Sequence, residues 1–121
     1  MSAYRIFPSA AFMQPNDGEP IRSVVTQSDQ ATIVAWHINP GQRIAAHVHP
    51  HGQDTWTILS GSGSYLLAGD GASQRITAGD VVIAHVGEVH GVFNDGQVPL
   101  VFVSVVTPLE AGFEPLQVQA A

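Results

Sequence analysis

The sequence predicts an all-β fold, an antiparallel sandwich or barrel, on three observations. Short runs rich in Val, Ile, Thr and aromatic residues recur along the chain, and these residue types fit a pleated, half-buried surface. Gly, Pro, Asp and Asn separate the runs at intervals of about 8–12 residues, the spacing of strands in small β domains. No long stretch carries an amphipathic helical period free of breakers.

Taken in order, the predicted strands are Arg22–Ser28, Ala31–Asn39, Gln42–Val48, Asp54–Ser60, Ser64–Ala68, Gln74–Thr77, Val81–His85, His90–Asn94 and Leu100–Thr107. Asn39-Pro40-Gly41, Gly69-Asp70-Gly71 and Asn94-Asp95-Gly96 supply the fixed or positive φ of the tight turns between them. Asp80, in a Thr-Ala-Gly-Asp turn, is expected to bond backbone amides two residues on, a structural role. Residues 1–121 read as one domain with a core over about 22–107, an N-terminal arm over 1–21 and a C-terminal tail over 108–121. The arm carries three prolines between Pro8 and Pro20, and the tail carries the apolar Phe113 and Leu116. Either end is free to pack on its own domain or on a partner subunit.

Composition narrows the function classes. With 121 residues and 45% apolar content the chain can enclose one real core. It has no cysteine, so disulfides, thiolate nucleophiles and zinc–cysteine sites are excluded. Four arginines, no lysine and ten acids give a formal net charge of −6. Nucleic-acid binding, which draws on cations meeting phosphates, is therefore not expected, nor is binding to an anionic membrane. No apolar run approaches the roughly 20 residues needed to span a bilayer, and no signal-peptide pattern opens the chain. A cytoplasmic protein whose partners are small molecules, metal ions or a second copy of itself is the expectation.

Five of the six histidines, His47, His49, His51, His85 and His90, crowd into the middle of the sequence, and only His37 stands apart. Residues two apart on a strand face the same way, so His47 and His49 present their imidazoles side by side. Asp54 opens the next strand after Pro50-His51-Gly52-Gln53, a connection short enough to fold the chain back. His90 joins this group only if a barrel closes the distance.

The spacing of these residues resembles that of the cupin superfamily. Its first motif is a glycine, five residues, His-x-His, three or four residues, an acid, six residues and a glycine, met here by Gly41, His47, His49, Asp54 and Gly61. Its second is a glycine, five residues, Pro-x-Gly, two residues, a histidine, three residues and an asparagine. Gly79, Gly87, His90 and Asn94 fall at those places, with His85 where the proline is usual. The two motifs span residues 41–94, about half of the chain.

The resemblance implies a jelly-roll β-barrel of six to eight strands, with one divalent transition metal ion inside its mouth. It makes His47, His49, Asp54 and His90 the expected ligands. The acid is aspartate where glutamate is usual, one methylene shorter, so Gln53 and His51 stand as alternates beside the three histidines. Imidazoles with a carboxylate suit Fe, Mn, Zn, Ni, Co or Cu rather than Mg or Ca.

Around that centre, Arg43, Trp56 and Phe93 are candidates for the substrate pocket. Trp56 shares strand parity with Asp54, and Arg43 shares it with His47; Phe93, like Phe102, also has a plain core reading. His85 is the candidate catalytic acid–base, since an imidazole titrates near neutrality. His37, beside Trp36 on a strand, reads as structural. Small cupins similar to this one commonly pair as homodimers, which sets that expectation here. They include metal-dependent dioxygenases, isomerases, lyases and decarboxylases, so the resemblance implies an enzyme acting on a small polar molecule. The alternative is a non-catalytic module that binds or senses a small ligand.

Overall fold

The structure, a computed structural model, describes residues 5–116; the outermost parts of the arm and tail, 1–4 and 117–121, lie outside the described residues. The nine predicted strands are present as β1 (Ser23–Gln27), β2 (Thr32–Ile38), β3 (Arg43–Val48), β4 (Gln53–Ser60), β5 (Ser62–Leu66), β6 (Ser73–Thr77), β7 (Val81–Ala84), β8 (His90–Phe93) and β9 (Leu100–Thr107). A tenth, β10 (Glu114–Pro115), comes from the tail, and the described part of the arm contains a 3-10 turn, Ser9–Phe12. The strands make two five-stranded antiparallel sheets ordered β1-β2-β9-β4-β7 and β10-β3-β8-β5-β6, the jelly-roll arrangement expected.

Alternation places the core. Along β4, Asp54, Trp56 and Ile58 are buried while Thr55 and Thr57 face away, as a period of two requires. Trp56 and Ile58 join Ile38, Tyr65, Ile76, Val92, Leu100 and Phe102 in one apolar cluster between the sheets. At its centre Trp56 stacks on Phe102 at 4.2 Å and meets Tyr65 edge-on at 5.2 Å, offset and edge contacts that aromatic quadrupoles favour.

Asn94 ties the two sheets together. It is fully buried; its Nδ2 donates to the carbonyls of Ile38 and Val98, each at 2.9 Å, and its Oδ1 accepts from Gly96 N at 2.9 Å. Asn94→Ala orphans all three backbone groups. It is expected to cost about 3 kcal/mol in urea denaturation, and a loss below about 1 kcal/mol would show that the bonds are replaceable. Asp80 is structural by a different bond from the one expected: its Oδ2 accepts from Thr77 N, three residues back, at 2.8 Å.

One irregularity matters for the site. Arg43 pairs with Phe93 and Ile44 with Val92, yet His47 pairs with His90, so β3 carries one extra residue in a bulge between Ile44 and His47. Gly91 faces the bulge, and any Cβ there would come within 2.6 Å of the Ile44 carbonyl oxygen. A bulge reverses which face later residues occupy. Ile44 can thus pack on the core while His47, an odd number of residues on, also points inward.

Candidate metal centre

Four side chains from three strands and one loop end converge between the sheets. His47 lies near the end of β3, His49 just beyond it, His90 begins β8, and Asp54 faces them from β4 in the opposite sheet. One ligand atom from each lies within 4.8 Å of every other, and all four residues are buried. His90 is wholly enclosed.

The imidazoles are held by backbone. Nδ1 of His47 donates to Ala45 O at 2.8 Å, that of His49 to Gly112 O at 2.6 Å, and that of His90 to Glu88 O at 3.2 Å. A carbonyl only accepts, so each Nδ1 carries the proton and each Nε2 is left to the centre, the tautomer that backbone partners impose on metal-ligating histidine. Nε2 of His90 and of His49 stand 3.0 and 3.3 Å from Asp54 Oδ2. Asp54 Oδ1 is buried without a partner, as is the Trp56 indole nitrogen behind it. Nitrogen lone pairs directed at a carboxylate oxygen repel unless a cation lies among them. A proton meets the demand at one nitrogen only, whereas a divalent ion meets it at all of them.

The charge states fit that description. Burial first, and then the neighbouring His90, pushes the His47 pKa down to about 4, so this ring is neutral at physiological pH. Burial raises the Asp54 pKa, but the facing imidazoles of His49 and His90 outweigh it and bring the carboxyl down to about 2. Burial likewise opposes charge on His49, yet the bond to Asp54 and the Gly112 carbonyl hold its pKa above the ordinary value. Asp54 thus favours a proton on His49 in competition with a metal.

Beside the cluster opens a cavity of about 600 Å³. Its walls combine Val34 and Trp36 of β2, Ile44 of β3, Ser104 and Val106 of β9, and Leu109 and Phe113 of the tail, with Glu19, Arg22 and Arg43 among the remaining lining residues. The tail is built into this wall: β10 pairs with β3, and the Phe113 ring lies 4.9 Å from that of His47.

Several expectations change here. Asp54 occupies the centre. Of the two alternates, His51 is exposed and Gln53 lies on the strand position next to Asp54, where alternation turns it to the other face. Trp56 sits in the core behind His90, ring centroids 6.0 Å apart, and Trp36 takes the cavity wall instead. Arg43 does not share strand parity with His47, because the bulge intervenes, yet it lines the cavity, its guanidinium 4.8 Å above the Phe93 ring. Phe93, half-buried beneath it, is not on the cavity wall. His85 is 66% exposed, pairs with Glu88 at 2.8 Å and does not line the cavity; the geometry does not bring it to the centre. His37 bonds Asn39 at 3.0 Å, in keeping with a structural role. The sequence reading passed over Arg22, which stood only as the first residue of a strand.

Two sheets packed as a jelly roll around a buried cluster of three histidines and one carboxylate define a double-stranded β-helix with a site that could hold a metal ion. The sequence model of the Cupin domain family matches residues 34–106, and the chain belongs to that family. It is similar to an uncharacterized conserved protein with a double-stranded β-helix domain from Klebsiella pneumoniae: 50% identity over 93% of this chain and 97% of that one, with a TM-score of 0.90. A predicted oxalate decarboxylase from Thermotoga maritima shares the fold at 21% identity, covering 86% and 99% of the two chains with a TM-score of 0.70. The polyketide cyclase RemF from Streptomyces resistomycificus does so at 16% identity, 88% and 77% coverage and a TM-score of 0.73. No curated protein matches the chain. Among the described residues no helix is long and apolar enough to cross a membrane.

Proposed function

We propose that this protein is a metal-dependent enzyme, of dioxygenase, isomerase, lyase or decarboxylase type, acting on a small molecule that enters the cavity beside the cluster. One observation carries the reading: three imidazoles, each with Nδ1 bound to a backbone carbonyl, turn Nε2 toward a single buried carboxylate. His47, His49, Asp54 and His90 would hold the ion. When bound, a transition metal with four protein ligands retains open positions and supplies Lewis acidity to an oxygen donor.

The protein's own groups do the rest. The Ala45, Glu88 and Gly112 carbonyls fix the ring orientations, the apolar wall excludes water, and the side of the cluster facing the cavity admits the ligand. A second reading, a non-catalytic ligand-binding module, is favoured by the position of His85, which leaves the cavity without the acid–base group expected. Nuclear magnetic resonance of metal-loaded protein with candidate ligands separates the two: turnover supports an enzyme, and saturable binding without product supports the module.

Metal loading tests the common premise through pH. An ion at this centre competes with protonation of His49, whose pKa is raised above the ordinary value. Apparent affinity is therefore full above that pKa and falls as pH drops through it, by up to about tenfold per unit. Occupancy in competition with a chelator, corrected for the chelator's own protonation, is expected to be high at pH 8 and low at pH 5. Equal occupancy at both would count against histidine ligation.

A further inference from the structure

The cavity carries a charge pattern unlike that of the rest of the molecule. The chain has a net charge of −6, yet two of its four arginines, Arg22 and Arg43, line this one cavity, with Glu19 the only acid there besides Asp54. The arginines differ in availability. Arg75 is bound to Asp95 and Ser62, and Arg43 is laid over Phe93. Arg22 has no hydrogen bond or ion pair among the described residues and lines the same cavity as His49. The same cavity wall includes the apolar Val34, Trp36, Val106, Leu109 and Phe113. An exposed, uncommitted guanidinium, apolar walls and a buried ligating centre in one cavity describe a ligand with three matching parts.

We infer that the ligand of this cavity is an organic acid with an apolar, ring-sized body, its carboxylate held by Arg22 and its oxygen donor directed at the His47–His49–Asp54–His90 centre. Guanidinium pairs with carboxylate through parallel N–H donors. The aromatic and aliphatic walls repay burial of a hydrocarbon body and give little to a sugar or a polyol. A phosphate dianion is less well matched, since one free guanidinium faces it and Glu19 stands nearby. This assignment rests on the metal-site reading above for its inner end but not for its outer one, so the two can fail separately.

The test is calorimetric titration of cobalt(II)-loaded protein, its metal content measured beforehand, with phenylpyruvate, phenylpyruvate methyl ester and glycerate. Phenylpyruvate is expected to bind at least tenfold more tightly than glycerate, which lacks the apolar body, and than the ester, which lacks the charge. Arg22→Gln is expected to weaken phenylpyruvate about tenfold, less at high salt, and to leave the ester unchanged. Because Arg22 is exposed, the variant keeps its fold and its cobalt. Trp36→Ala is expected to weaken the acid and the ester alike. Full cobalt loading with no preference for phenylpyruvate, or with no effect of Arg22→Gln, would overturn the inference and leave the metal site standing. Arg22-dependent binding in protein that takes up no cobalt would uphold the carboxylate assignment while the metal reading failed.

Discussion

Gly61→Ala is expected to leave little folded protein. Gly61 joins β4 to β5 with φ +81°, a conformation that costs an L-residue about 1–2 kcal/mol. A Cβ there would also press into the Pro99 carbonyl oxygen and come within 2.9 Å of Leu100 Cα, both backbone atoms that cannot rotate away. Leu100 is wholly buried in the core, so the strain is passed inward. The combined loss is expected at about 4 kcal/mol or more, much of the 5–15 kcal/mol that holds a domain together. Gly79 isolates the steric part: its φ is +94°, but a Cβ there meets nothing within 4 Å. Gly79→Ala should therefore lose only about 1–2 kcal/mol. Urea midpoints of the two variants make the comparison, and equal losses would refute the steric account.

The second large effect falls on metal content. Protein carrying His47→Ala and His90→Ala is expected to hold no metal by inductively coupled plasma mass spectrometry, where the parent holds close to one ion per chain. Two of the four candidate ligands are lost, and the Ala45 and Glu88 carbonyls lose their donors with them. His90 is fully buried against Trp56, so truncation also opens a void. The His47→Gln, His90→Gln pair retains most of the volume and should be folded but equally metal-free. His51→Ala and His85→Ala should keep the parent's content, since neither side chain reaches the cluster. Equal, low metal in parent and variants after reconstitution would mean that the histidines serve as polar groups of a ligand pocket.

Much of this architecture was legible because its signals are local. Val-, Ile- and Thr-rich runs between turn residues located nine strands to within a few residues, and the spacing of Gly41, His47, His49, Asp54, Gly61, Gly79, Gly87, His90 and Asn94 marked out the cluster. What escaped depends on contacts between distant segments. The bulge in β3 has no marker inside β3; its partner, Gly91, lies across the sheet, and without it strand parity puts Arg43 on the same face as His47. β10 is two residues long and half proline, too short for any periodic pattern, yet it pairs with β3 and its Pro115 lines the cavity. Parity placed Trp56 inward correctly but could not say whether inward meant core or cavity. The two sheets share one interior that is packed around Trp56 and open beside Trp36. Arg22 precedes its strand with no motif at all, and only the folded cavity brings it near the histidines.

The three carbonyls that orient the imidazoles have a thermodynamic consequence. Ala45, Glu88 and Gly112 come from separate stretches of the chain, brought together only when both sheets and the tail are in place. An unfolded chain therefore offers an ion scattered histidines in mixed tautomers rather than a prepared cage. Any ion bound at this centre discriminates between the two states and is coupled to folding by mass action, adding about 2.7 kcal/mol when its free concentration is a hundred times its dissociation constant. Fluctuations in cellular metal supply would then act on the lifetime of the molecule as well as on its chemistry.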